Sequence, residues 1–339
     1  MCTAITYQTR DHYFGRNLDV PASYGESVVV TPRNFPLPFR RLPPLERHYA
    51  LLGAALIARN YPLYYDAVNE AGLAMAGLNF PGNAAYKPEA ADRDNVTPFE
   101  LIPWLLGRCA SLAEARAALE RLNLLSLPFS PDLPLAPLHW LLADRTGASL
   151  VVECVAEGLR VYDNPVGVLT NNPPFPFHRE HLAHFLHLTR EAPANRFAPG
   201  VELRPCSLGL GAFGLPGDFS SASRFVRAAF VKCNAVSGES EAESVHQVFH
   251  ILDAVAQPRG CAQAGEAGYE HTAYAACCNL DRGLYYYTTY ENRRTACVDL
   301  RREALDGDHL TAYPMLRQPL VELQNGPEGP ADRKFSQPS

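Results

Sequence analysis

Apolar runs of strand length, broken by glycine, proline and charged residues, recur along the chain, and segments of helical period divide them into groups. Residues 1–8 and 26–31 are rich in β-branched side chains and predict strands, as does the apolar run 51–58. Between the first two, Arg16 to Gly25 holds charges, Pro21 and Gly25 and reads as a loop. Five prolines between 32 and 44 mark an irregular connector. Arg59 to Asp66 contains Tyr61, Pro62, Leu63, Tyr64 and Tyr65 and reads as an aromatic loop suited to lining an apolar pocket. Asn69-Glu70-Ala71-Gly72 predicts a turn into the strand Leu73 to Leu78. Asn79 sits where that strand ends, before Pro81-Gly82-Asn83 breaks the chain; taken alone, Asn79 reads as a turn residue.

Helices follow with explicit start signals. Thr97-Pro98-Phe99-Glu100 is a capping box with proline at the first helical position, and Ser111-Leu112-Ala113-Glu114 repeats the device. Leu112, Ala115, Leu119 and Leu122 then fall on one helical face. Leu138 to Ala143, Ser149 to Cys154, Leu159 to Tyr162 and Gly167 to Thr170 read as a four-strand meander ending in Asn171-Asn172-Pro173. A helix is predicted over 179–190, another from Ser220 through about Ala235, and a third from Glu241 to Ala256. Arg224 lies near the start of the second, where the helix dipole disfavours a cation, so its charge needs another partner or open solvent. Ala273 to Cys278, Leu284 to Tyr290 and Thr295 to Leu300 read as strands, and Asn325 to Ser339 as a disordered tail. This order predicts sheets covered by helices in one α+β domain, residues 1–324.

Composition narrows the functions. Apolar residues make up 47% of the 339 and charged residues 19%, which suits an enzyme with a large core. The net charge of −6 comes without a basic run, which argues against nucleic acid as a partner. No apolar run is long enough to insert in a bilayer, and no basic segment followed by an apolar one marks a secretory leader. Nine cysteines without a disulfide-framework spacing then point to free thiols in a reducing cytoplasm. Cys277 and Cys278 are strand neighbours pointing to opposite faces, and His246 and His250 have no nearby carboxylate in a ligand arrangement, so no metal is expected. Gly209 to Gly217 lacks the ending of a phosphate cradle and there is no Gly-x-Ser-x-Gly elbow, so neither a nucleotide cofactor nor a serine nucleophile is supported.

The candidate chemistry sits at the start. Removal of Met1, normal before a small side chain, would leave Cys2 with a thiol and a free α-amine, whose reference pKa values are about 8.5 and 7.7–8.0. That pairs a nucleophile with its own base. Arg16 could stabilise the thiolate and Asp19 could orient the amine. Cys2 also fits as a small apolar residue opening a strand.

Several motifs in order resemble the choloylglycine hydrolase family, the bile salt hydrolases and penicillin V acylases within the N-terminal-nucleophile hydrolases. They are MCT at the start, GRNLD at 15–19, SYGE at 23–26, TPRN at 31–34, YPLYYDAVNEAGLAMAGLNFPGN at 61–83, LPLAPLHWLLAD at 133–144, NPVGVLTNNP at 164–173, LPGDFSSASRFVRAAF at 215–230 and YYYTTYENRR at 285–294. The resemblance covers about the first 320 residues. It implies a four-layer αββα sandwich of two antiparallel sheets between helical layers, and cytoplasmic homotetramers. It makes Cys2 the nucleophile, with Arg16 and Asp19 beside it. Asn79 and Asn171 would be the oxyanion and amine-positioning residues, and Arg224 the family's site arginine. Leu18, Val20, Tyr61, Tyr65, Phe129 and Leu133 would meet the substrate, with no metal or cofactor. Penicillin V acylases typically carry tyrosine where this chain has Asn79, which favours conjugated bile salts over penicillin V or acyl-homoserine lactones as substrate. Val20-Pro21-Ala22 is slighter than the loop of many relatives, leaving glycine against taurine preference open. A non-catalytic bile-acid-binding protein is the reading from another class.

Overall fold

In the computed structural model, which describes residues 1–323, most strands assemble into two large antiparallel sheets, beside a short parallel pair of Asp94–Val96 with Leu122–Leu124. The first strand, β1 (Cys2–Gln8), turns straight back into β2 (His12–Val20), setting Cys2 opposite Leu18 and Ala4 opposite Arg16. β2 pairs on its other side with Tyr269–Asn279, and the sheet continues through Leu284–Thr289 and Ala296–Asp299. The second sheet is built on β3 (Ser27–Thr31), β4 (Leu51–Ala58), β5 (Tyr61–Asn69) and β6 (Ala74–Asn79), side by side. It extends from β6 through Leu138–Ala143, Ser149–Val155 and Gly158–Asp163, and Thr311–Pro314 closes the other edge on β3.

Each sheet is apolar on both faces, so each must be covered twice. The inner faces meet in one core: Leu18 and Tyr274 from the first sheet share it with Val68, Ala76 and Leu141 from the second. Outside the second sheet lie α1 (Leu101–Arg108) and α2 (Leu112–Leu119), whose Trp104, Leu105, Ala115 and Leu119 pack on Val29, Met75 and Leu142. On the outer side of the first sheet lie α3 (Phe175–Leu182), α4 (Ser221–Asn234) and α5 (Glu241–Asp253). The four layers are α, β, β, α, as expected from the resemblance. Contact between α5 and β2 depends on Gly15: a Cβ there would lie 2.9 Å from Val248 Cγ1 and 3.2 Å from the Ala276 carbonyl.

Several predicted boundaries are corrected. The region beginning at Arg16 is not a loop, because β2 continues to Val20; its Arg16, Asn17 and Asp19 are buried with internal partners, so their polarity did not signal solvent. Arg59 to Asp66 is not an aromatic loop either. The turn is only Arg59-Asn60, both at positive φ (52° and 58°), the geometry of a two-residue hairpin, and Tyr61 already belongs to β5. The fourth meander strand leaves its neighbours, and Val168–Leu169 pairs with β1 in the first sheet. α3 starts at Phe175 rather than at 179. α1 starts only at Leu101: the Glu100 carboxylate does accept from the Thr97 N–H (2.9 Å), but the Thr97 hydroxyl has no partner and Pro98 to Glu100 form a turn. Ser111 caps α2 as expected, but the helix ends at Leu119 and Leu122 opens a short strand. The predicted tail, 325–339, lies outside the described residues.

Candidate active site

Strand alternation sorts the residues around Cys2 onto two faces. Even-numbered positions of β2 face the second sheet and odd-numbered ones face the helices: Arg16 reaches across to carbonyls of β5 and β6, whereas Asn17 Nδ2 donates to the Leu252 carbonyl of α5. Cys2, opposite Leu18, shares the inner face with Arg16. Thr3 and Asp19 are on the helix face.

On the inner face, Arg16 Nη2 donates to Cys2 Sγ at 3.0 Å, and Nη1 donates to the carbonyls of Tyr65 (2.9 Å) and Gly77 (3.2 Å). The Tyr65 carbonyl is within reach because β5 carries a bulge there: Asp66 pairs with Ala54 and Tyr64 with Ala55, leaving Tyr65 unregistered. Burial works against the Arg16 charge, but the acidic groups facing it, Cys2 and Asp66 among them, outweigh it and hold the guanidinium above its usual value. It is a permanent cation aimed at sulfur.

On the helix face, Arg224 is fully buried and fans out from the start of α4. Its Nη1 donates to the Cys2 carbonyl and to Thr3 Oγ1, both at 2.6 Å, and its Nη2 to Asn171 Oδ1 at 2.7 Å. These are the partners that its unfavourable place against the helix dipole demanded. Burial pulls its affinity for the proton below the usual value, against Asp19, Cys2 and Glu270. Asp19 accepts from Thr272 (2.7 Å) and Gln257 (3.3 Å) and lies 3.9 Å from Arg224. A bulge between Thr272 and Tyr274 lets Thr272 turn to Asp19 while Tyr274 faces inward.

Asn171 joins the two faces. Its Oδ1 accepts from the Cys2 N–H (2.8 Å) as well as from Arg224, which leaves Nδ2 to donate to the Asn79 carbonyl (2.7 Å). With donors on one side and a carbonyl on the other, the amide has one orientation. Its loop is tied at both ends: the Asn171 N–H donates to Ser221 of α4, and its carbonyl accepts from His178 of α3. In the chain as it stands, the Met1 ammonium occupies the space ahead of Cys2, bonded to the Asp19 carbonyl and the Glu270 carboxylate.

An apolar cavity of about 420 Å³ is lined by Tyr65 and Gly77, whose carbonyls hold Arg16, with Phe129, Leu133, Leu56 and Pro98. Of the six expected substrate contacts, Tyr65, Phe129 and Leu133 are here. Tyr61 is not; its ring sits behind, against Phe99 and Phe129. Leu18 is packed in the core between the sheets, and Val20 against the same core. These three sit in regular strands, where alternation and not loop shape decides what they face. A larger hollow among Lys87, Arg93 and Arg116 is polar and lies by α2. Among the described residues no helix is long and apolar enough to cross a membrane, and no cluster of metal-ligating side chains occurs.

Sequence reading overlooked Asp66, Tyr274, Tyr285, Thr272 and Gln257. Asp66 left a signal: a carboxylate inside an apolar, strand-like stretch between Tyr65 and Ala67. The tyrosines left none that separates them from core aromatics.

A family model described as linear amide C–N hydrolases, choloylglycine hydrolase family, matches residues 2–313. The chain is 51% identical over 315 residues to a bile salt hydrolase/transferase of Lactiplantibacillus plantarum, covering 93% of this chain and 97% of that one. Its structure superposes on that of a mutant conjugated bile acid hydrolase from Clostridium perfringens with a TM-score of 0.88 at 36% identity, over 95% of this chain and 99% of the other. A penicillin V acylase from Agrobacterium tumefaciens shares the fold, with a TM-score of 0.73 at 20% identity over 92% and 90% of the two chains. A cysteine sulfur facing a buried guanidinium at the chain start, on a four-layer αββα frame, belongs with these matches: the chain is a member of the choloylglycine hydrolase family of linear amide C–N hydrolases.

Proposed function

We propose that this enzyme hydrolyses the amide bond of glycine- or taurine-conjugated bile salts, with Cys2 as its N-terminal nucleophile. The observation that carries the proposal is the Cys2 Sγ–Arg16 contact, with the same guanidinium bonded to the carbonyls of Tyr65 and Gly77, two residues that line an apolar cavity. A rigid steroid acyl group suits such a cavity, and burial of its apolar surface at ~25 cal/mol per Å² would dominate binding. Identity of 51% over 315 residues to the L. plantarum bile salt hydrolase/transferase supports the same substrate class.

Removal of Met1 turns the Cys2 N–H into an α-amine held against Asn171 Oδ1. The amine takes the thiol proton and the sulfur attacks the amide carbonyl carbon. The oxyanion is held by the Asn79 backbone N–H and by the second hydrogen of Asn171 Nδ2, the first being bound to the Asn79 carbonyl. The ammonium then gives its proton to the leaving nitrogen, so glycine or taurine departs and an acyl thioester remains. Water, deprotonated by the same amine, attacks the thioester and releases the bile acid and the thiol. Arg16 stabilises the sulfur. Arg224 and Asp19, on the opposite face, fix the backbone of Cys2 and the amide of Asn171.

Two coarser features belong to the same reading. Leu186, Phe197, Leu203, Leu208 and Phe213 stand exposed along one excursion between α3 and α4, which a homotetramer would cover. The nine cysteines are all unpaired, as suits a reducing cytoplasm. Parallel assays of glycocholate, taurocholate and penicillin V test the substrate. Release of glycine or taurine with kcat/KM well above that for penicillin V is expected; faster cleavage of penicillin V overturns the assignment.

A further inference from the structure

Behind Arg16 lies a buried acid that the mechanism above does not use. Asp66, on the inward face of β5, is 3% exposed, and it takes one hydrogen bond on each oxygen from across the sheet interface. The Tyr274 hydroxyl donates to Oδ1 (2.5 Å) and the Tyr285 hydroxyl to Oδ2 (2.6 Å), and Arg16 Nη1 stands 3.7 Å from Oδ1. One guanidinium is therefore shared between a carboxylate and the Cys2 sulfur.

We propose that Asp66 is a positioning residue which, through Arg16, sets the pH at which the Cys2 sulfur becomes reactive and how firmly the resulting thiolate is held. The proposal rests on the reading of Cys2 as nucleophile. Burial keeps both tyrosines protonated, well above their usual range, so they serve as donors. Burial leaves the Asp66 carboxyl above its usual value although Arg16 and the two hydroxyls pull it back; with a donor on each oxygen, the anion is the form that uses every contact. Other charged groups facing this cluster are Glu26, felt at Tyr274 and Tyr65, and, on the far side of β1, Arg224 with Asp19 and Glu270. Cys278 lies inward beside Asp66. None of these bonds to Arg16 in place of Asp66.

Removing the Asp66 charge leaves Arg16 balanced by sulfur alone. The thiolate then forms at lower pH but is bound harder and attacks more slowly. The test uses the mature enzyme without substrate: iodoacetamide labelling of Cys2 across pH, read on the N-terminal peptide by mass spectrometry. Asp66→Asn should move the midpoint of labelling down by about one pH unit. Its kcat for taurocholate should fall about tenfold with KM within about twofold, the split expected of a group that acts on the nucleophile and not on binding. The Tyr274→Phe/Tyr285→Phe double variant, whose carboxyl loses both donors and takes up a proton, should move the midpoint the same way, and it serves if Asp66→Asn does not fold. A midpoint unmoved in a folded variant, with only the melting temperature lowered, overturns the proposal and makes Asp66 structural. Labelling reads the thiol without bile salt, so a wrong substrate would leave this result standing. Full hydrolysis by Cys2→Ala would instead overturn the proposed function.

Discussion

Arg16 and Asp19 lie three positions apart in one strand, so they cannot both face the sulfur. Arg16 takes that place, and both terminal nitrogens of its fork are used: one on Sγ, the other on two carbonyls of the facing sheet. Lysine offers a point charge without that fork. Arg16→Lys is expected to lower kcat for taurocholate by about 10²-fold, with a smaller change in KM, as when one preorganised donor is lost. Steady-state kinetics check this; a variant within threefold of wild type would mean the guanidinium geometry is unimportant. Cys2, Arg16 and Asp19 could be singled out from the opening residues alone, whereas Asn79, Asn171 and Arg224 entered the site only through the resemblance. Their division of labour was not legible. It depends on strand parity and on two bulges, at Tyr65 and before Tyr274, and a bulge has no reliable sequence mark.

At the scale of elements, the site is held by what packs behind it. α5 lies close on β2 only because position 15 has no side chain. Gly15→Val is expected to destabilise the fold by about 1–3 kcal/mol through overpacking against Val248 and Ala276, measured by denaturant unfolding. His178 of α3 stacks on Phe225 of α4 and donates Nε2–H to the Asn171 carbonyl, while its Nδ1 is buried without a partner. Burial pushes its pKa down to about 4, well below the ordinary 6.5. The unfolded chain therefore binds a proton between these values that the folded one refuses. Stability from this residue is complete above about pH 6.5 and lost as pH falls towards 4, by about 3 kcal/mol. Thermal melts from pH 7 to pH 4 should show this loss, and His178→Phe should flatten it. Helices with a capped start, such as α2, α4 and α5, were legible in the sequence. β2 and the start of β5 were not, because buried charges and tyrosines there imitate a loop.

The whole molecule stacks two sheets so that Arg16, bonded to the sulfur in one, reaches the carbonyls of Tyr65 and Gly77 in the other. The layer order followed from the resemblance. The crossing of Val168–Leu169 into the first sheet did not, because a two-residue strand carries no periodicity to reveal its partner. Assembly belongs to this scale too. Light scattering on the purified protein should give four times the chain mass, and charged substitutions at Leu208 and Phe213 should lower it; a monomer at micromolar concentration would leave that apolar excursion without a partner. The central claim, however, is that one chain end supplies both sulfur and base. Its most direct test is the intact mass of enzyme acid-quenched while turning over taurocholate. The account predicts a chain lacking Met1 that carries a single bile acyl group, mapped to Cys2. Turnover at full rate by a chain that retains Met1, or an acyl group on another residue, would contradict it.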